Sequence, residues 1–210
     1  MISKTRALAA TVVLSCLIPL GGGCSGATGQ PPAGSTVELQ ADYPSYDTDG
    51  LFGAATLIVV GTAIGSESTV VTPRYEVGDS PEDDPWFGLS DEEREHALAE
   101  LQDAGIAATA VTFRVDAAYR GEVGPGQEIT IMQTGGVLDG VDYQVSGETE
   151  LAVGSSYLLF AKDSFDGAFA ILGGSVGTYI SSSDGGFAAT ATDSAAAGSF
   201  TASEVESLAG

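Results

Sequence analysis

Residues 111–119 read VTFRVDAAY, and their period decides the fold. Val111, Phe113, Val115, Ala117 and Tyr119 alternate with Thr112, Arg114, Asp116 and Ala118. A strict two-residue period puts the apolar set on one face of a half-buried β-strand. The glycine-rich turn GEVGPG follows at 121–126, then EITIMQ at 128–133, so the two runs predict a hairpin. Upstream, TLIVVGTA at 56–63 is apolar without alternation, and so is YLLFA at 157–161. A strand of that kind is buried on both faces, so other parts of the chain must cover its outer side. Asp139-Gly140 between Val137-Leu138 and Val141–Val145 is a two-residue hairpin signal. Ala168–Leu172 closes a further hairpin after the turn at 163–167, and Gly177–Ile180 adds a short piece. Ser68–Val77 holds another short strand, interrupted by Pro73. The chain is predicted to be mainly β.

Composition agrees. There are 210 residues, 43% of them apolar, enough for one packed domain with tails. The 29 glycines follow no collagen period and serve turns, a role that Asp shares because the chain contains no Asn. Seven Lys and Arg face 29 Asp and Glu, a net charge of −22 at pH 7. Such a charge repels phosphate backbones and anionic headgroups, which excludes nucleic acid as a partner.

Eleven of the acids lie in residues 76–103, against the single base Arg94. DSPEDD at 79–84 reads as an acidic loop. Ser90-Asp-Glu-Glu93 is a capping box, so a helix is predicted over about 90–104, ending before Gly105. Its apolar stripe of Ala97, Leu98 and Leu101 is narrow, which leaves most of the helix in water. A second capping box, Thr201-Ala-Ser-Glu204, opens a short C-terminal helix over about 202–209. Residues 188–199 are low in complexity. Residues 50–55 predict a short helical turn started by Asp47 or Thr48.

At the N-terminus, Lys4 and Arg6 precede the 14-residue uncharged run Ala7–Leu20. That run is short of the roughly 20 residues a membrane helix needs, but it suits a signal-peptide core. Gly21-Gly22-Gly23 and Cys24 follow. The arrangement resembles the bacterial lipoprotein signal, in which the cysteine takes lipid and becomes the mature N-terminus. The family pattern places Leu three residues before the cysteine; here Gly21 stands there and Leu20 lies one place further out. Ordinary secretion, with cleavage near Gly23 or Ala27, is the alternative. Cys16 lies within the leader, so Cys24 would be the only cysteine of the mature chain, and no intrachain disulfide could form. Removal of the leader leaves five bases against 29 acids, a net of −24. The expected organisation is a signal peptide at 1–23 and a Gly/Ser/Pro-rich tether at 24–36. The barrel domain spans 37–187 with the acidic loop and helix 76–104 inserted, and a tail with its short helix spans 188–210.

The order of pieces is itself familiar: VVGTA, VTFRVDAAYRGE, GPGQEITI, a GG break, VGSSYLLFAKD, then GTY. Over Leu57–Ile180 this resembles exported bacterial proteins with a small barrel of the oligonucleotide/oligosaccharide-binding (OB) type. More distantly it resembles the netrin and tissue-inhibitor-of-metalloproteinase modules. The resemblance implies a five- or six-stranded OB-like barrel. It does not carry protease inhibition to this chain, because that family grips zinc with a free N-terminal cysteine, whereas Cys24 is expected to carry lipid. The usual barrel also has its helix between the third and fourth strands, whereas the clear helix here falls between the first and second.

Four constellations bear on chemistry. Gly173-Gly-Ser175-Val-Gly177 matches the G-x-S-x-G of serine hydrolases, which needs a strand-to-helix elbow and a later histidine. No helix pattern follows Ser175, and the only histidine, His96, precedes it. Glu92, Glu93, His96 and Glu100 fall on one helical face and are the candidate metal ligands, although a solvated acidic face explains them as well. Asp47-Thr-Asp-Gly50 and Asp163–Gly167 have the oxygen-rich look of calcium loops, but neither continues into the twelve-residue pattern, and Asp-Gly turns are ordinary. Tyr43, Tyr46, Trp86 and Phe87 could line a carbohydrate surface or cover a core edge. The sequence therefore predicts no catalytic residues and no cofactor, with calcium as the alternative at its acidic turns. It predicts a non-enzymatic, membrane-anchored extracytoplasmic lipoprotein that binds an envelope protein or glycan. The alternatives are a hydrolase or metal-dependent enzyme using Ser175 or the His96 face, and a structural surface protein with no specific ligand.

Overall fold

The computed structural model of the chain describes residues 32–41, 43–72, 88–103, 105–164, 167–183, 185–192, 194–196 and 198–210. The signal peptide, Cys24, the acidic loop 79–84, Trp86 and Phe87 lie outside them. The protein is mainly β. The first elements are β1 (Thr36–Gln40), α1 (Thr48–Ala54), β2 (Leu57–Val71), α2 (Asp91–Asp103), β3 (Ile106–Arg120) and β4 (Glu128–Thr134). They are followed by β5 (Gly136–Leu138), β6 (Val141–Ser146), β7 (Ser156–Asp163) and β8 (Phe169–Ile171). A 3-10 turn (Gly174–Gly177), β9 (Thr178–Ser181), β10 (Gly186–Ala189), β11 (Ser199–Thr201) and α3 (Ala202–Ala209) complete the chain.

Five strands close a barrel. β2 pairs antiparallel with β3, and β3 with β4; β4 runs parallel to β8; β8 pairs antiparallel with β7, and β7 with β2. This closed five-stranded barrel is compatible with an OB-like barrel. The acidic helix α2 sits between the first and second barrel strands, where the sequence placed it. Between the third and fourth, the chain forms the β5–β6 hairpin, and β1 adds parallel to β6 as a separate three-stranded sheet. The hairpin turn is the expected Asp139-Gly140, both residues with positive φ (51° and 78°).

The doubly apolar strands face two cores. Leu57, Val59 and Ala63 of β2 meet Val111, Phe113, Val115, Ile129, Ile131, Tyr157, Leu159 and Ala161 inside the barrel. The intervening Ile58, Leu158 and Phe160 point outward and are fully buried by α1, α3 and the β9–β11 extension, through Leu51, Phe52, Tyr179, Phe187, Phe200 and Val205. Val60 packs on this outer core while staying half-buried. Rings knit the cover together: Phe52 meets Phe160 edge-on at 4.8 Å, and Tyr179 lies 5.0 Å from Phe200. The low-complexity stretch thus supplies the end of β10 and the first residue of β11, with Phe187 paired opposite Phe200.

Arg120 fastens this cover. Its Nη1 donates to the carbonyls of Phe52 and Ala55, and its Nη2 to that of Ala209 at 2.9 Å. These carbonyls lie at the C-terminal ends of α1 and α3, where helix dipoles leave negative partial charge. One cation at the end of β3 therefore serves two helices.

The strands differ from the sequence pattern in two respects. β2 is a single strand to Val71, rather than one ending near Ala63 followed by a separate short strand. The alternation in β3 also slips after Val115. Gly61 pairs with Val115 and Val60 with Ala117, leaving Asp116 as a bulge, and Tyr119 is skipped in the same way. Ala118 then packs on the barrel core and Tyr119 on the outer one. Gly61 is required at this bend, because a Cβ there would strike the Arg114 carbonyl and the Phe113 ring.

Candidate functional site

Among the described residues, a partly enclosed polar cluster lies where four segments meet. Gln133, one residue before the end of β4, is buried although amide-bearing (4% exposed). Its Oε1 accepts from the Leu151 backbone N–H at 3.0 Å, and its Nε2 donates to the Thr149 carbonyl at 2.8 Å. These bonds satisfy the buried amide and fix the 148–151 loop, which places Leu151 in the barrel core. The same Nε2 reaches Glu148 Oε1 at 3.3 Å. Tyr43, in the segment between β1 and α1, donates its hydroxyl to Glu148 Oε2 at 2.8 Å. Gly147 accepts from the Ser175 backbone N–H at 2.9 Å, which ties the 3-10 turn to this loop. Thr190 donates to the Ser175 carbonyl at 3.1 Å and accepts from Thr149 at 2.9 Å.

Burial pushes the Glu148 carboxyl above its ordinary value of 4.5, against hydrogen bonds from Tyr43, Gln133 and the Thr134 backbone that favour the charged form. Burial, with the Glu148 charge next, pushes the Tyr43 phenol far above its ordinary value of 10.0. Tyr43 thus holds its proton and is a poor base. Ser175 belongs to a 3-10 turn leading into strand β9, not to an elbow leading into a helix, and its main-chain bonds make it a clip between the turn, the loop and Thr190.

The His96 face is a different place. Glu92, Glu93 and His96 are exposed on α2 and line an open groove with Leu89, Ser90 and Ala97. The side chain of Glu100 lies outside the described residues. Glu93 closes the expected capping box: its Oε2 accepts from the Ser90 backbone N–H at 2.8 Å, and the Ser90 hydroxyl accepts from the Glu93 N–H. The bonds from Ser90 hold the Glu93 carboxyl below its ordinary value. Among the described residues, no three His, Cys, Asp or Glu side chains gather as a metal-binding group. Asp47 is the N-cap of α1, its Oδ1 accepting from Gly50 N–H at 2.8 Å. Asp163 accepts from the Thr56 hydroxyl. Tyr43 and Tyr46 are both half-buried, the first in the Glu148 cluster and the second against the outer core.

Sequence reading missed Glu148 and Gln133 entirely. Tyr43 and Glu148 are 105 positions apart, so no spacing rule links them. No protein-family model matches the chain, and no curated protein matches it.

Proposed function

We propose that the protein is a non-enzymatic lipoprotein, held outside the cytoplasm by lipid on Cys24, whose barrel domain serves as an interaction module at the cell envelope. The observation that carries this reading is the filled barrel. Its interior is occupied by Phe113, Ile131, Leu159 and their neighbours, so the domain meets other molecules with its outer surface. The resemblance to exported bacterial proteins with OB-like barrels supports the same reading. So does the apolar leader ending at Gly23-Cys24. A strongly acidic surface favours a partner of opposite charge or a neutral glycan over anionic ligands. The test is affinity capture of the tagged protein from detergent-solubilised envelope, with a Cys24→Ala form alongside. The expected result is one envelope protein or glycan enriched with the wild type, and release of Cys24→Ala into the soluble fraction. Turnover of an ester or phosphoester substrate, abolished by Ser175→Ala with the fold intact, would replace this reading by the hydrolase one.

A further inference from the structure

We infer that the outer edge of β1 takes up an extended, basic segment of another envelope protein as an added strand. This names the face and the partner class of the interaction-module reading, on which it rests. β1 is the end strand of the three-stranded sheet, with β6 as its one strand neighbour among the described residues. The Asp142 N–H donates to the Ser35 carbonyl at 2.9 Å, which sets the phase of the parallel ladder. With Thr36 opposite Asp142, Val37 and Leu39 turn their backbone groups toward β6, and Thr36, Glu38 and Gln40 turn theirs away. Those three residues are exposed, and their backbone N–H and C=O groups are unpaired among the described residues. A row of this kind is a template for strand addition. Native edges are commonly guarded by Lys, Pro or a bulge. β1 (TVELQ) has neither Lys nor Pro, and its register with β6 runs without a shift.

Charge selects the occupant. Thr36, Glu38 and Gln40 share a face with their register partners Asp142, Gln144 and Ser146, so that face is polar across both strands. No Lys or Arg occurs in β1, β5 or β6 to neutralise its acids. Glu38 stands at the middle of the edge, where its Oε1 accepts from the Ser146 hydroxyl at 2.8 Å. Beside it, Thr36, Glu38, Gln144 and Ser146 line an open groove that receives the stems of Lys or Arg side chains. A second copy of the chain is the wrong occupant. The antiparallel register that uses the whole of β1 sets Glu38 opposite Glu38 of that copy, and like charges directly opposite are destabilising. The net charge of −22 adds to the repulsion. A strand that brings Lys or Arg opposite Glu38 gains where a second copy loses.

The probe is a short synthetic peptide of alternating Lys and Val, added to the full chain and followed by residue-resolved amide exchange in NMR spectra. A fully N-methylated version of the peptide keeps the charge but cannot donate along either edge. The plain peptide should slow exchange at Thr36, Glu38 and Gln40 severalfold, and the methylated one should leave them unchanged. Glu38→Gln should weaken binding about two- to fivefold. Glu38→Pro removes an outward N–H and no bond to β6, and should abolish binding. Glu38→Lys should turn the preference to a peptide of alternating Glu and Val. Equal binding of the methylated peptide, or binding that leaves the β1 amides unprotected, would overturn the inference, since it would show charge attraction without an added strand. Should Glu38→Pro fail to fold, Glu38→Lys decides: reversed preference supports the edge, and unchanged binding of the basic peptide refutes it. Envelope capture separates this inference from the reading beneath it. A partner held equally by the wild type and Glu38→Pro overturns the edge and leaves the interaction module standing. Capture of nothing by the wild type overturns the interaction module, and the peptide result then decides the edge alone.

Discussion

Phe160→Ala tests the covered outer face of the barrel. Phe160 is fully buried on the outside of β7, where its ring meets those of Phe52 at 4.8 Å, Tyr179 at 5.7 Å and Phe200 at 6.0 Å. Truncation removes the transfer energy of the ring and leaves a cavity walled by three aromatic residues. Phe→Ala changes in packed cores cost about 3–5 kcal/mol. Ring pairs add about 0.5–1.5 kcal/mol beyond buried area, which puts this site toward the upper end. A domain this size has a total stability of about 5–15 kcal/mol, so the variant should sit near the edge of folding. Guanidinium unfolding followed by far-UV circular dichroism should show a lower midpoint at similar slope, and Tm should fall by about 6–20 °C. A loss under about 1 kcal/mol would refute the outer core, since a ring so placed cannot vanish at that cost.

Arg120→Ala removes the donors to three helix-end carbonyls and should cost about 2–4 kcal/mol by the same unfolding measurement, with Arg120→Lys recovering only part. Gly61→Ala drives a methyl group into the Arg114 backbone and should destabilise by at least about 1–3 kcal/mol, read as lost soluble yield or lowered Tm. Thr201→Ala opens the capping box of α3 and should cost about 1 kcal/mol. Stability against pH should pass through a maximum on the acid side of neutrality. As far as Glu148 is concerned it should rise as pH falls through the raised Glu148 value toward 4.5, then decline below about 4.5 as Glu93 and Glu204, both held below that ordinary value, lose their capping charge. A monotonic curve through that window, measured by thermal melts, would contradict these assignments.

The parts legible in the sequence are those whose cause is local. The two capping boxes at Ser90 and Thr201, the Asp139-Gly140 turn and the alternation through Val115 each act within a few residues. Continuous apolar runs also revealed that β2 and β7 needed cover on both faces. The last strands that complete that cover were not legible. β10 and β11 lie in a stretch of small residues whose only large anchors are Phe187 and Phe200, and a strand of three or four residues leaves no period to read. The phase slip of β3 depends on its register with β2, a property of the pair rather than of either strand. The Glu148 cluster was hidden for the same reason: Tyr43, Gln133 and Glu148 are brought together only when the barrel closes. The readings of Ser175 and the His96 face rested on spacing alone. The structure puts Ser175 in a turn between strands, and puts Glu93 to use as a helix cap.

The intact mass and N-terminal sequence of the mature protein, purified from the membrane fraction of its host, test the lipoprotein assignment most directly. The expected result is a chain beginning at Cys24 with the added mass of a diacylglycerol on its sulfur. A mature chain beginning elsewhere, with Cys24 removed or carrying no lipid, would contradict it.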